Sequence, residues 1–251
     1  MMMKTIMSHF YNEEYLLPFW LNHHKKMFDH GILIDYHSTD KSVEIIKKIC
    51  PTWDIITSRN EFFESYSIDK EVEDIESSIS GWRICLNTTE FLIGDFNILD
   101  KIEPNTNFYI PECIMVDSID NEFTPLDENK DLVSQRTHGI HPFQYNEILR
   151  RESRRSRKLS NYFTNYPLGR HYETYNTKDF LILWYGYSPF NEDIIKRKLQ
   201  IQTKMPESDK SRGLGFQHLV SEKNLIDNFK NYQTESIDLS YLIDKFKNIN
   251  N

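Results

Sequence analysis

The fold is decided by residues 4–57, which read KTIMSHFYNEEYLLPFWLNHHKKMFDHGILIDYHSTDKSVEIIKKICPTWDIIT. Three short and mostly apolar runs within it are predicted strands, namely Lys4–Phe10, Ile32–Ile34 and Trp53–Thr57. Two segments with apolar residues at helical spacing separate these strands, Leu17–Phe28 and Val43–Cys50. Gly31 and Pro51 end the two helices. The alternation of strands and helices indicates an α/β fold with a mostly parallel sheet flanked by helices.

The rest of the chain extends this pattern with weaker signals. Further strands are predicted at Trp82–Leu86, at Asn107–Val116 with an interruption at Pro111, and at Phe180–Tyr187, and further helices at 61–80 and Asn191–Gln202. Residues 117–150 are rich in loop-forming residues. From Ser221 onward two amphipathic helices follow, and the second carries one apolar face made of Leu239, Leu242, Ile243 and Phe246. We therefore expect one α/β domain over residues 1–220 and a helical extension over residues 221–251 that packs on it.

Composition narrows the class of protein. The chain has 251 residues, 39% of them hydrophobic, which suits one sizeable domain. Its net charge of −8 argues against a nucleic-acid partner. One basic run stands out, from Arg150 to Lys158. We interpret it as the solvated face of a helix, and a clamp for a diphosphate or an anionic acceptor is the other interpretation.

We infer the cellular location of the protein from its cysteines and its apolar runs. Cys50, Cys85 and Cys113 are odd in number and lack metal-site spacing, so we expect buried, reduced thiols and a cytoplasmic location. No apolar stretch is long enough to cross a bilayer, and residues 1–10 lack the layout of a signal peptide. Peripheral contact with a membrane stays open.

Polar clusters follow three of the predicted strands. They are Asn12-Glu13-Glu14 after the first strand, Asp35 to Asp40 after the second, and Asn87 to Glu90 after the fourth. In open parallel sheets, ligands bind beyond the carboxyl ends of the strands. Since these clusters share that edge, we expect them to converge on one binding site.

Three motifs resemble those of family 2-like glycosyltransferases. His9-Phe10-Tyr11-Asn12-Glu13-Glu14 and the following helix with Trp20 and His24 look like the family's opening, Asp35-Tyr36-His37-Ser38-Thr39-Asp40 like its second signature, and Trp82 to Leu92 like its third. The resemblance covers residues 4–60 and 82–92, with a weaker likeness over 178–218. It implies a GT-A fold and transfer of a sugar, with inversion, from a UDP-, GDP- or dTDP-sugar to an unknown acceptor (a glycan, a lipid-linked molecule or a protein).

The resemblance also implies roles for individual residues. Asn12 and Glu13 would line the nucleotide pocket, Asp35 would contact the base or ribose, and Ser38 and Asp40 would shape the adjoining loop. The carboxylate of Asp35 suits contact with the base or ribose, because it accepts hydrogen bonds from ribose hydroxyls or a base N–H.

The third motif departs from the family pattern at its metal ligands. Family members carry Asp-x-Asp there, whereas this chain has Asn87 and Thr89, which we expect to contact the nucleotide sugar. Neutral oxygens bind Mn²⁺ or Mg²⁺ less tightly than carboxylates do. We therefore expect metal dependence to be weak or absent, with Glu90 and His218 as the candidate ligands and basic residues as substitutes.

Several roles remain open at this point. A general base for the acceptor hydroxyl is commonly a carboxylate, and Glu90, Glu112 and Asp117 are the candidates. His218 and His171 are equally interpretable as ordinary surface residues, and His24 as a packed core residue. A nucleotide-sugar-binding homologue without catalysis is the second hypothesis for function. A nucleotidyltransferase is the third, and the lack of a glycine-rich phosphate loop disfavours it.

Overall fold

The computed structural model describes residues 2–122, 124–141, 155–215 and 218–247. The strands are β1 (Lys4–Phe10), β2 (His30–Asp35), β3 (Asp54–Thr57), β4 (Trp82–Cys85), β5 (Glu90–Gly94), β6 (Asn107–Val116), β7 (His138–Ile140), β8 (Ser156–Ser160), β9 (Phe180–Tyr187) and β10 (Ile237–Asp238). The helices are α1 (Leu17–His24), α2 (Ser42–Ile49), α3 (Ser65–Ser77), α4 (Leu132–Gln135), α5 (Glu192–Gln200), α6 (Glu207–Ser211), α7 (Glu222–Glu235) and α8 (Ser240–Lys247).

The predicted α/β fold with a mostly parallel central sheet flanked by helices is confirmed. Strands β3, β2, β1 and β4 lie side by side and all pair in parallel. Beyond β4 the sheet continues through β8 and β6, which pair antiparallel, and β9 then pairs with β6 in parallel. Strands β1, β2 and β4 are buried along most of their length, as expected for strands covered on both faces, whereas the edge strand β3 is partly exposed.

Close packing explains why Gly31 stands at the start of β2. A Cβ atom there would lie 2.1 Å from the ring of Trp53, so only glycine lets the strand pass. Helix α1 packs on the same core, with the ring of Trp20 lying 6.4 Å from that of Trp53. Trp20 is fully buried, and its indole N–H donates to the carbonyl of Glu90 at 3.0 Å. His24 is a packed core residue, since its Nδ1 bonds the Trp20 carbonyl and its Nε2 accepts from the amide of Leu92.

The last two helices pack on the α/β core. Leu239, Ile243 and Phe246 are buried in the main hydrophobic cluster, and α8 contacts β5. Helix α7 buries Leu225 and Phe229. The apolar stripe predicted in this segment is therefore covered by the protein's own core, while the boundary at residue 220 stays a prediction.

Two expectations about secondary structure were wrong. Strand β6 is unbroken at Pro111, because the next amide, that of Glu112, still donates to the carbonyl of Arg155 at 3.1 Å. The basic run is not a solvated helix face where the structure describes it, since Arg157 and Lys158 lie in β8 and are buried. The part of the run at 150–154 lies outside the described residues.

Partners supplied by other elements make this burial of charge feasible. The ammonium group of Lys158 donates to the hydroxyl of Thr164 at 2.6 Å and lies 3.9 Å from the ring centre of Tyr166. The guanidinium of Arg157 binds carboxylates, as described below. Buried charges persist in proteins when they are paired and hydrogen-bonded in this way.

Candidate functional site

A cavity of about 550 Å³ opens at the carboxyl ends of β1, β2 and β4. Its walls begin where these strands end, at Tyr11 after β1, at Tyr36 after β2 and at Asn87 after β4. Strand β8 and helix α5 close the other sides. This is the edge at which open α/β sheets bind ligands, and it is where the sequence predicted that the polar clusters meet.

Glu90 and Arg157 form a buried ion pair in the cavity wall. Nη2 and Nε of Arg157 donate to the two carboxylate oxygens of Glu90 at 2.6 and 3.0 Å. The backbone and side-chain amides of Asn87 donate to the same oxygens, each at 2.9 Å. Burial alone would lower the pKa of Arg157, but the charges of Glu90 and Glu112 outweigh it and raise that pKa. Both oxygens of Glu90 are therefore occupied by fixed donors.

Two further arginines in the cavity wall pair with carboxylates. Arg197 of α5 binds Glu13, and Arg170 lies 3.1 Å from Asp69. Burial raises the pKa of Glu13, although the charge of Arg197 opposes this shift. These contacts hold loops from distant parts of the chain against each other around the cavity.

An aromatic patch lines the side of the cavity next to β1 and β2. The ring of Tyr36 lies 5.6 Å from that of His9 and 5.9 Å from that of Phe63, and Phe63 lies 5.6 Å from His218. Burial, together with the charge of Arg170, lowers the pKa of His9 well below its usual value. The patch is therefore aromatic and uncharged at neutral pH, with its rings inclined edge to face.

Positive charge gathers around Trp184 in the cavity wall. The guanidinium of Arg155 lies 5.7 Å from the indole ring centre and the ammonium of Lys198 lies 5.0 Å from it. Among the described residues that line the cavity, five cationic side chains face three carboxylates. The cavity is thus positive in a chain whose net charge is −8, which favours an anionic ligand.

Five of the predicted site residues line the cavity. These are Glu13, Asn87, Thr89, Glu90 and His218. Glu112 stands directly behind the wall, with its carboxylate 3.5 Å from Arg157 and 3.6 Å from His171, which does line the cavity.

Apart from Glu13, the predicted residues of the first two loops lie outside the cavity lining and form hydrogen bonds within and between these loops. The side-chain oxygen of Asn12 accepts from the amide of Thr39 at 2.8 Å, and Asp35 accepts from the amide of Ser38 at 2.9 Å. Asp40 accepts from the amides of Ser42 and Glu14. Asn12 has a φ of 51°, a left-handed conformation that asparagine tolerates. We call this network, made by Asn12, Asp35, Ser38 and Asp40, the loop lock.

Asp117 is also outside the cavity. Its carboxylate accepts from the hydroxyl of Ser188 at 2.6 Å and from the amide of Phe190 at 2.7 Å, and it lies 3.2 Å from the guanidinium of Arg136. Asp117 therefore holds the turn that follows β9, and nothing in this arrangement points it toward a reacting group.

The residues around Glu90 are a poor fit for a hard divalent cation. The carboxylate already carries the full charge of Arg157 and two amide donors, so a metal would have to displace them. Burial and the nearby cations Lys198, Arg197 and Arg155 lower the pKa of His218 to about 4, and the same cations would repel a metal ion there. Among the described residues, no group of three or more His, Cys, Asp or Glu side chains is arranged to hold one.

Sequence reasoning missed several residues that make the cavity aromatic and positively charged. Tyr36 stands inside a motif that was singled out, yet only its neighbour Asp35 was chosen. Arg197, Lys198 and Trp184 follow no motif, and only the fold brings them to this edge. The signal that could have found Arg157 was the basic run itself, in its second interpretation as an anion clamp.

Other features of the chain agree with the expectations for cysteines and membrane spans. All three cysteines are free and buried. Within the described ranges, no helix has both the length and the apolar character that crossing a bilayer requires.

Comparisons with known proteins give a distant likeness in structure. No protein-family model matches the chain, and no curated protein sequence does. The crystal structure of S. aureus TarS 1-349 is 13% identical over 86% of this chain and 71% of that one, with a TM-score of 0.40. Its complex with UDP-GlcNAc is 13% identical over 49% and 37%, with a TM-score of 0.31. HddC from Yersinia pseudotuberculosis is 12% identical over 48% and 62%, with a TM-score of 0.30.

The matched region is a small part of some of these proteins. This chain spans 23% of the chain in one TarS crystal structure and 38% of the chain in the UDP complex of TarS 1-349. We therefore base the proposed function on the residues of the cavity.

Proposed function

We propose that this protein transfers a sugar from a nucleotide diphosphate sugar to an acceptor hydroxyl. The observation that carries this proposal is the pairing, in one cavity at the carboxyl edge of the sheet, of an aromatic patch with a surplus of positive charge. A nucleotide diphosphate sugar has matching parts, a flat base at one end and a diphosphate beyond it. The three sequence motifs that resemble family 2-like glycosyltransferases border this same cavity.

The base is expected to lie against the aromatic patch. The rings of His9, Tyr36 and Phe63 present faces and edges on which a base can stack, and each stacked base is stabilised by roughly 1–3 kcal/mol in other proteins. Uracil, guanine and thymine all fit this description, so the donor is a UDP-, GDP- or dTDP-sugar in this proposal. Stacking by itself does not choose among them.

The diphosphate is expected to bind beside Trp184, where two cationic side chains of the cavity lining lie over one indole ring. Arg157, Arg170 and Arg197 each bind a carboxylate. Arg155 and Lys198 lie 5.7 and 5.0 Å from the ring centre of Trp184. Negative charge develops on the departing diphosphate as the sugar leaves, and preorganised cations stabilise it. We therefore propose that Arg155 and Lys198 take over the task that a metal ion performs in Asp-x-Asp enzymes.

One observation favours a second candidate function, a nucleotide-sugar-binding protein without catalysis. Glu13 and Glu90, the two carboxylates nearest the predicted donor, are both neutralised by arginines. In that case the cavity would bind the donor and release it unchanged. The two candidates differ in one measurable respect, which is whether nucleoside diphosphate appears.

The test combines binding with turnover. UDP-GlcNAc, UDP-glucose, GDP-mannose and dTDP-glucose are each added in a thermal-shift assay, with EDTA or with Mn²⁺, since a ligand that binds the native state raises the melting temperature. We expect at least one donor to raise it equally in EDTA and in Mn²⁺. Slow release of nucleoside diphosphate, followed by mass spectrometry, then separates transfer from mere binding.

A pair of lysine variants tests the site itself. Lys198→Met is expected to weaken binding of UDP about tenfold, because removing one charge–phosphate contact costs roughly 1.5 kcal/mol. Lys196→Met is the matched control, since Lys196 lies on the same helix but outside the cavity lining. Equal affinity in the two variants would refute the proposed diphosphate site, and a panel without any shift would refute the function.

A further inference from the structure

Glu112 and His171 face each other behind the cavity wall with polar atoms that are still unsatisfied. Oε1 of Glu112 lies 3.6 Å from Nδ1 of His171. Within the described part of the chain, neither atom has a hydrogen-bond partner, and both are buried. Buried polar atoms are nearly always hydrogen-bonded, so an unsatisfied pair at this distance calls for an explanation.

Three neighbouring segments bring the pair together. Pro111 of β6 is paired with Ser156 of β8, and Ser156 in turn forms a bridge with Tyr172. Glu112 and His171 are the chain neighbours of Pro111 and Tyr172. Backbone pairing on both sides of Ser156 therefore fixes the separation of the two side chains.

The imidazole of His171 reaches from this buried contact to the cavity. The residue lines the cavity, and 26% of its side chain is exposed. Nδ1 is buried and faces Glu112, so Nε2 is the ring nitrogen that remains for a ligand in the cavity. A ring with a carboxylate beside one nitrogen and the other nitrogen left for the substrate is the usual arrangement of a general base.

We propose that His171 is the catalytic base for the acceptor hydroxyl and that Glu112 is the residue that positions it. This inference rests on the proposed function, sugar transfer in the same cavity. The acceptor oxygen forms a bond to the anomeric carbon while the bond from that carbon to the diphosphate oxygen breaks. The hydroxyl proton moves to Nε2 of His171, and the nucleoside diphosphate leaves with the electron pair of the broken bond.

Glu112 acts through the other nitrogen of the ring. Its carboxylate accepts from Nδ1–H, which selects the tautomer with a lone pair on Nε2 and stabilises the imidazolium that forms. The 3.6 Å separation is longer than a hydrogen bond, and catalytic hydrogen bonds often shorten only when substrates bind. The earlier candidate base thus becomes a positioning residue, because Glu112 does not itself line the cavity.

The charges that face the two groups act in opposite directions. Burial and the cations Arg157, Arg155 and Arg170 lower the pKa of His171 well below its usual value. The ring is therefore neutral at pH 7, and the negative charge of Glu112 is needed to stabilise the imidazolium that forms when it accepts a proton. Burial and the charge of Glu90 raise the pKa of Glu112 to about 7, against the opposing effect of Arg157 and Arg155. The pair is complete only when Glu112 is ionised, so turnover should rise as the pH increases through about 7.

The first arm of the test measures the rate at which UDP is released from UDP-GlcNAc. If another nucleotide sugar of the thermal-shift panel binds instead, the release of its nucleoside diphosphate is measured. His171→Gln should lower kcat about 100- to 10,000-fold, the usual contribution of a general base, with little change in donor affinity. Glu112→Gln should lower kcat less and abolish its rise through pH 7. His30→Gln and Glu76→Gln are matched controls outside the cavity lining. Full turnover in His171→Gln, with binding intact, would overturn the proposal while leaving the proposed function standing.

The second arm needs no turnover. Nitrogen-15 NMR of the imidazole distinguishes the Nδ1–H tautomer from the Nε2–H tautomer. We expect His171 to be Nδ1–H in the wild type at pH 8 and to lose this preference in Glu112→Gln. A ring that is Nε2–H in both proteins would overturn the dyad, whatever the donor panel shows.

Discussion

Two sets of acidic residues follow neighbouring strands, and they are held in different ways. In the loop lock, Asp35 accepts a hydrogen bond from an amide three residues away, and Asp40 accepts from the amides of Ser42 and Glu14, which are two and 26 residues away. In the cavity wall, Glu90 binds an arginine 67 positions away and Glu13 binds one 184 positions away. Here the acidic residues that bind backbone amides alone lie in the loops, and those that bind a distant arginine line the cavity.

The largest expected effect lies in the distant pairs. Arg157→Met would leave Glu90 and Glu112 buried without their common cation, and breaking a buried pair in this way costs about 3–5 kcal/mol of unfolding free energy. Urea unfolding of the variant measures the loss.

The matched control is Arg59→Met. Arg59 pairs with Asp74 on the surface, where solvent screens the interaction, and little change in stability is expected. Similar stability of the two variants would show that the buried pair contributes no more than a surface one.

A smaller effect is expected in the loop lock. Asp35→Ala removes a hydrogen bond to a charged acceptor, which should lower the unfolding free energy by about 1.5–3 kcal/mol. Because Asp35 does not line the cavity, the affinity for UDP should stay within about twofold. Isothermal titration calorimetry measures the affinity of the variant for UDP. A large loss of affinity in a well-folded variant would assign Asp35 to the ligand site after all.

The smallest expected effect is on the pH dependence of folding stability. The pKa of His218 is lowered to about 4, so the folded protein binds fewer protons than the unfolded chain between about pH 4 and 6.5. Stability attributable to this neutral ring is present above pH 6.5 and is lost as the pH falls toward 4.

Urea midpoints at pH 7 and pH 5 test this sign. His218→Gln should lose less stability than the wild type over that interval. An unchanged pH dependence in His218→Gln would show that its ring is not held neutral by the cavity.

The parallel half of the sheet was predictable because its signals are local. Lys4–Phe10 was predicted with the observed bounds, as was Phe180–Tyr187 in the other half of the sheet, since short apolar runs between turn residues specify strands without reference to the rest of the chain. The edge at which ligands would bind followed from the same alternation.

The positive charge and the aromatic lining of the cavity were not predictable from local signals. Arg157 looks like a surface residue in sequence because a buried charge is costly unless it is paired, and its partner Glu90 is far away in the chain. Asp35 and Tyr36 are adjacent, and the sequence did not show which of them borders the cavity. Contacts between distant segments of the chain determine both the burial of Arg157 and the choice between Asp35 and Tyr36.

The ion pair of Glu90 and Arg157 has a consequence for how this sequence can change. Replacing Asn87 by aspartate, a step toward Asp-x-Asp, would remove the amide that donates to Glu90 and place a second carboxylate beside it. Removing Arg157 first would leave Glu90 and Glu112 buried without a counter-charge. Either step alone is expected to be harmful, so the two positions are coupled, and this chain would gain a metal-binding motif only if both positions changed together.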